Sequence, residues 1–135
     1  MKYLLDTNIV SYFLRDASLT LSQRILDSTP DTLAISIISA GELRYGLCKL
    51  PRSKRAAELA HHLNAVLAAI TVLPLPAEAA QHYGHTRMQL EAAGTPIGSN
   101  DLWIAAHALS ENMIMVTNNT REFERVPALK VENWL

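Results

Sequence analysis

The sequence predicts an α/β protein, a three-layer α/β/α sandwich around a central, mostly parallel sheet of four or five strands. Three observations lead there. Short apolar runs of strand length alternate with longer stretches of helical periodicity along the whole chain. Hydrophobic residues make up 49% and charged ones 19%, enough apolar material for a packed core and too much for a disordered chain. The 135 residues suit one domain, 1–135, with no repeat, low-complexity tract or linker to divide it.

Tyr3-Leu4-Leu5 reads as a buried strand whose far end delivers Asp6. Asn8 to Arg15 continues as a short helix with Ile9, Val10, Tyr12, Phe13 and Leu14 facing inward, and a second helix runs from Leu19 to Leu26. Asp31-Thr32 turns the chain into a strand over Leu33 to Ile37. From Ile38 to Leu50 the apolar positions Ile38, Leu43, Leu47 and Leu50 keep a helical spacing until Pro51 stops it. Ser53 to Ile70 is rich in Ala and Leu and has high helix propensity. Thr71 to Leu75 is a third strand, closed by Pro74 and Pro76. Ala77 to Ala93 forms a helix with Gly94 just past its end. In the loop that follows, Ser99 or Asn100 is placed to cap a helix over Asp101 to Ser110. Met113 to Val116 is a fourth strand, Thr117 to Arg125 a polar loop or short helix, and Leu129 to Val131 a candidate edge strand.

Twelve Lys and Arg against thirteen Asp and Glu give a formal charge of −1, so no global positive field draws this chain to nucleic acid. Any RNA contact must come from local cations or from a bound metal. A single cysteine, Cys48, allows neither an intrachain disulfide nor a thiolate zinc site, and a reducing cytoplasm is the expected location. Lys2 and Asp6 interrupt the first apolar run, against a secretory leader. The longest apolar stretch, Ala65 to Leu75, is too short for a bilayer.

Four acids stand where sites form. Asp6 directly follows the first strand, Asp101 opens a helix after a Gly/Pro loop, Glu42 lies inside the Ile38 to Leu50 helix, and Glu122 follows the fourth strand. Each has an ordinary structural use. An Asp after a strand forms turns, an Asp at a helix start meets the macrodipole, and Glu122 has Arg121 and Arg125 at hand. As a set they mean more, because ligands of such folds bind outside the carboxyl ends of the strands. Carboxylates gathered there repel and raise one another's pKa unless a hard divalent cation neutralises them.

The segments Leu5-Asp6-Thr7-Asn8, Gly41-Glu42-Leu43-Arg44-Tyr45-Gly46, Asp101-Leu102-Trp103-Ile104-Ala105-Ala106-His107-Ala108 and Val116-Thr117-Asn118-Asn119-Thr120-Arg121-Glu122-Phe123-Glu124-Arg125-Val126 occur in that order and span nearly the whole chain. In these blocks the chain resembles the PIN-domain ribonucleases of the VapC type, toxins of bacterial type II toxin–antitoxin pairs. The resemblance implies a PIN-like sandwich and an endoribonuclease that hydrolyses RNA phosphodiesters with a water activated by Mg²⁺, for which Mn²⁺ substitutes. It implies Asp6 and Asp101 as metal ligands and Glu42 as a third acid, acting on the metal directly or through water. That family often carries a fourth acid two residues after a Thr or Ser in the last block. Here Thr117 is followed at that distance by Asn119, which leaves open whether one metal or two are held. Glu122 is the acid that takes the fourth place, and Asn8, Thr117, Asn119, Arg121 and Arg125 are the expected supporting and substrate-side residues. The implied partners are a VapB-type antitoxin, RNA and a second copy of the chain, with no membrane.

Other features weigh less. His82 and His85 lie three apart but have no third ligand in view. His107 reads as a satisfied, partly buried histidine, and Trp103 as buried, although it and Tyr45 are of a type that stacks bases. The basic run Lys49 to Arg55 reads as a solvated helix start, against which stands the poor fit of cations to a helix N-terminus. The apolar faces of Ile9 to Leu14 and Leu19 to Leu26 exceed what one small core needs and point to a partner. Two rival readings remain. One is a PIN-like module that binds RNA or protein and cuts nothing, favoured by Asn119. The other is a phosphatase or phosphoacceptor with Asp6 as nucleophile, disfavoured because Asn8 stands where a second Asp is needed.

Overall fold

A computed structural model describes residues 2–135. Five strands form one sheet: β1 (Tyr3–Leu5), β2 (Leu33–Ser36), β3 (Thr71–Leu73), β4 (Ile114–Val116) and β5 (Val131–Glu132). Their order is β3-β2-β1-β4-β5, and all four pairings are parallel. Parallel strands need crossovers, and seven helices supply them: α1 (Thr7–Leu14), α2 (Leu19–Asp27), α3 (Ile37–Cys48), α4 (Lys54–Ala69), α5 (Ala79–Ala92), α6 (Ser99–Ser110) and α7 (Thr120–Phe123). A 3₁₀ turn over Pro30–Thr32 leads into β2.

Alternation along the strands splits the core in two. Leu4, Ala34 and Met115 pack with Leu90 of α5, Leu102, Ile104, Ala105 and Ala108 of α6, and Phe123 of α7. Leu5, Ile35 and Val116 point the other way, toward Ile9 and Val10 of α1 and Leu21 and Ile25 of α2. The expected sandwich is therefore present, with five strands. The rung Leu5–Ile35–Val116 aligns β2, β1 and β4, and it puts Ser36, Asp6 and Thr117 one position further on, at the carboxyl edge. The chain runs from β1 outward to β3 and then returns to β4 on the other side of β1. The switch point thus lies between β1 and β4, where a crevice opens in such sheets.

Several boundaries differ from expectation. α6 starts two residues early, with Gly98 at its cap and no side-chain hydrogen bond there, so neither Ser99 nor Asn100 caps it. On α1 only Ile9 and Val10 are buried; Tyr12, Phe13 and Leu14 are partly exposed because the helix is too short to wrap them against the sheet. Ile37, expected to end a strand, is the first residue of α3 and is exposed, because the Ser36 hydroxyl accepts from the Ile38 N–H at 3.2 Å and starts the helix there. Gly94 lies past α5 at φ 73, the left-handed conformation that closes a helix at little cost to glycine. No helix among the described residues is long and apolar enough to cross a membrane.

Candidate active site

Asp6 leaves β1 as the N-cap of α1 and is 3% exposed. Its Oδ1 accepts from the Thr7 N–H at 2.8 Å, and its Oδ2 accepts from the Thr117 hydroxyl at 2.9 Å. Burial raises its pKa. The bonds from Thr117 and Thr7 oppose that rise, and the charges of Glu42 and Glu122 add to it.

Glu42 arrives on α3, and its Oε1 accepts from the Thr7 hydroxyl at 2.7 Å. Thr7 therefore holds two of the acids at once, through its amide and its side chain. Sequence reasoning singled out the Asp-Thr-Asn block but gave Thr7 no role. A hydroxyl directly after the cap residue was the available signal.

Asp101 stands in the first turn of α6 and is half-buried. Its pKa is pushed up to about 7, first by burial, then by the charge of Asp6, by the charge of Glu122 and a side-chain hydrogen bond with it, and by Glu42. Glu122 comes in on α7, not from a strand end, and its Oε2 accepts from the Asn119 side-chain amide at 2.8 Å. The Asn119 backbone N–H donates to Thr117 Oγ1 at 3.0 Å. Thr117, fully buried, thus passes order from the β4–α7 loop to Asp6. Neither Arg121 nor Arg125 pairs with Glu122; among the described residues the ion pairs are Arg24–Glu132 and Arg87–Glu91. Both of those site-side arginines are exposed, Arg125 with one nitrogen 3.4 Å from the Pro96 carbonyl.

The structure thus gathers Asp6, Glu42, Asp101 and Glu122 at the switch point, near enough for each of the other three to raise Asp101. All of their donors are oxygens, the set that suits a hard cation such as Mg²⁺. Among the described residues no group of three or more acidic, histidine or cysteine side chains stands close enough together to hold a metal ion. An open cluster is what Mg²⁺ commonly uses, with one or two carboxylates plus water and substrate phosphate. The donor chemistry and the mutual repulsion therefore fit the ion.

Beside the acids runs a groove of about 640 Å³ with Thr7, Asn8 and Glu42 on its wall. Leu14, Leu47 and Leu63 also line it, with Arg15 and Arg55 among the polar groups. Asn8 is exposed to this groove. Elsewhere, Trp103 is half-buried and stacks on Tyr83 with ring centroids 3.9 Å apart, so it is not enclosed as expected. His107 also departs from expectation. It is fully buried, its Nδ1 lies 2.9 Å from Ser36 Oγ, and its Nε2 has no partner.

Comparison with known proteins places the chain in a family. The PIN domain matches residues 3–129. The chain is 39% identical over 135 residues to Ribonuclease VapC2 of Haemophilus influenzae strain Rd, covering 100% of this chain and 99% of that one. It is 37% identical over 134 residues to the tRNA(fMet)-specific endonuclease VapC of Shigella flexneri, covering 99% and 98%. Among solved structures, VapBC2 from Rickettsia felis bound to a DNA fragment from their promoter superposes with a TM-score of 0.87 at 36% identity, over 100% of both chains.

Proposed function

The chain belongs to the PIN-domain family, among its VapC-type ribonucleases, and from that premise we propose that it is the Mg²⁺-dependent endoribonuclease toxin of a toxin–antitoxin pair. The observation that carries the metal is the convergence of Asp6, Glu42 and Glu122 on Asp101, whose carboxyl is pushed up to about 7 first by burial and then by those three charges, an arrangement that a divalent cation stabilises. Asp6 and Asp101 would hold Mg²⁺, or Mn²⁺ in its place, with Glu42 beside them and Asn119 and Glu122 completing the shell. The ion, when bound, supplies Lewis acidity toward a phosphodiester and a water.

The remaining steps belong to the chain itself. Thr7 and Thr117 fix both oxygens of Asp6, so its orientation is set before RNA arrives. Thr7 also aims the Glu42 carboxylate, which is placed to take a proton from the attacking water. Arg121 and Arg125, exposed and free of acid partners among the described residues, would hold the RNA backbone. The leucine-lined groove beside Glu42 suits an apolar segment of a VapB-type antitoxin, and the Rickettsia felis complex supports that partner. A homodimer in the cytoplasm completes the reading.

The test is an RNA digest by the purified chain freed of any partner, with and without EDTA. Transfer RNA is the first substrate, as the Shigella relative's name directs. Cleavage that needs Mg²⁺ and disappears in Asp6→Asn and Asp101→Asn is the expected result. Full activity in either variant removes that residue as a ligand. RNA binding without any cleavage moves the chain to the non-cutting module.

A further inference from the structure

We propose that His107 is a positioning residue, which through Ser36 pins the start of α3 to α6 and so sets the spacing between Glu42 and Asp101. The proposal rests on the nuclease reading only for its effect on cleavage; the pin itself is a statement about two helices. Ser36 ends β2 in the same edge row as Asp6 and Thr117, and its hydroxyl caps α3 by accepting from the Ile38 N–H. His107 Nδ1 meets that same hydroxyl at 2.9 Å from α6, across 71 positions of sequence. Glu42 lies six residues after Ser36 on one helix, and His107 six after Asp101 on the other. Each acid is thus about 9 Å along its helix from the pin, at 1.5 Å per residue.

The site of this bond is otherwise unsuited to a histidine. Both residues are 0% exposed, and the neighbours of His107 on α6, Ile104, Ala105 and Ala108, are buried apolar residues. Its Nε2 lacks a partner, as does the buried Ser39 hydroxyl one turn along α3. Burial keeps the ring neutral, with Glu111 in opposition. An apolar side chain would fill this seam with no unpaired polar atom, so the contact contributes geometry rather than stability.

The test compares His107→Leu, which keeps the bulk and removes the bond, with His107→Asn, whose amide can restore it, and with Ser36→Ala. Crystal structures of parent and variants give the separation of positions 42 and 101. Thermal melts with added Mg²⁺ and RNA cleavage rates complete the set. His107→Leu is expected to widen that separation by about 0.5 Å or more, the tolerance within which such sites must be held. Its melting temperature in chelator should match or exceed the parent's. Its Mg²⁺ response should weaken and its kcat fall about tenfold at unchanged KM, with recovery in His107→Asn, since misplacement on this scale carries losses of that order. An unchanged separation in His107→Leu overturns the pin, whatever the activity. A kcat loss that merely tracks a lowered melting temperature also overturns it. If the separation widens while the parent ignores both Mg²⁺ and RNA, the pin stands and the nuclease reading falls.

Discussion

The Thr117 hydroxyl donates to Asp6 Oδ2 at 2.9 Å, with Thr117 fully buried and Asp6 nearly so, across 111 positions of sequence. This bond ties the ends of β4 and β1 together at the switch point, and it opposes the desolvation of the Asp6 carboxylate. A buried acceptor that loses its donor bears the full penalty of its lost solvation. Thr117→Val, close in shape, is therefore expected to lower stability by about 1–3 kcal/mol, the range for a buried polar group left without its partner. Urea unfolding at neutral pH measures it, with the slope against urea unchanged. A variant as stable as the parent would show that Asp6 does not depend on this donor.

Asp101 makes the fold sensitive to pH when no cation is present. On unfolding its carboxyl returns from about 7 toward 3.8. Between those values the folded chain keeps a proton that the unfolded chain has lost, so this contribution is full at acid pH and disappears as pH rises to 7. Asp101→Asn removes the titration. In EDTA the variant should melt close to the parent near pH 4 and above it near pH 8, by about 3–6 °C, the shift expected from ~1 kcal/mol after allowance for partial solvent screening. Taking the difference between the two proteins cancels His107, whose lowered pKa acts in the opposite sense. A difference that stays level from pH 4 to 8 would contradict the raised carboxyl.

Much of this arrangement could be read from the sequence because it follows from where strands stop. Leu4-Leu5 and Met115-Val116 are short apolar runs, and each is followed at once by a polar residue, so Asp6 and Thr117 had to sit at the carboxyl edge. Contacts between remote elements were not legible. Nothing local in Ser36 or His107 indicates that they meet, because the pairing depends on the parallel register and on α6 packing against α3. The cap of α6 was misjudged for a local reason. Gly98 gives up a side-chain cap, which moves the helix start back to Ser99 and leaves Asp101 inside the first turn, facing the other acids. The apolar excess of α2 is legible in the sequence, and Leu19 and Leu26 are 80% and 75% exposed.

Thr7 offers a sharper dissection, since its amide serves Asp6 and its hydroxyl serves Glu42. Thr7→Val keeps the first bond and deletes the second. Glu42 is partly exposed, so water replaces much of what is lost and stability should change by no more than about 1 kcal/mol. Cleavage should suffer more, with a rate about tenfold to a hundredfold lower, because a carboxylate acting on a proton must be aimed. Thr7→Ser, which restores the hydroxyl, should recover most of the rate. Parent-like turnover in Thr7→Val would remove Glu42 aiming from the mechanism.

Repulsion among the acids gives a last consequence, one that separates binding from stability. A cation that binds only the folded chain raises stability by mass action, about 2.7 kcal/mol at a hundredfold excess over its dissociation constant. Mg²⁺ should therefore raise the melting temperature of the parent in a concentration-dependent way, and Mn²⁺ should do the same. Asp6→Asn should behave oppositely. An asparagine oxygen can still cap α1 by accepting from the Thr7 N–H, and its amide can meet the Thr117 hydroxyl, so the fold keeps its bonds while one buried negative charge disappears. In chelator this variant is expected to melt above the parent, and with Mg²⁺ it should gain little. A variant that melts lower in chelator would mean that Asp6 holds the fold together more than its charge strains it, and the picture of a repelling anionic cluster would have to be given up.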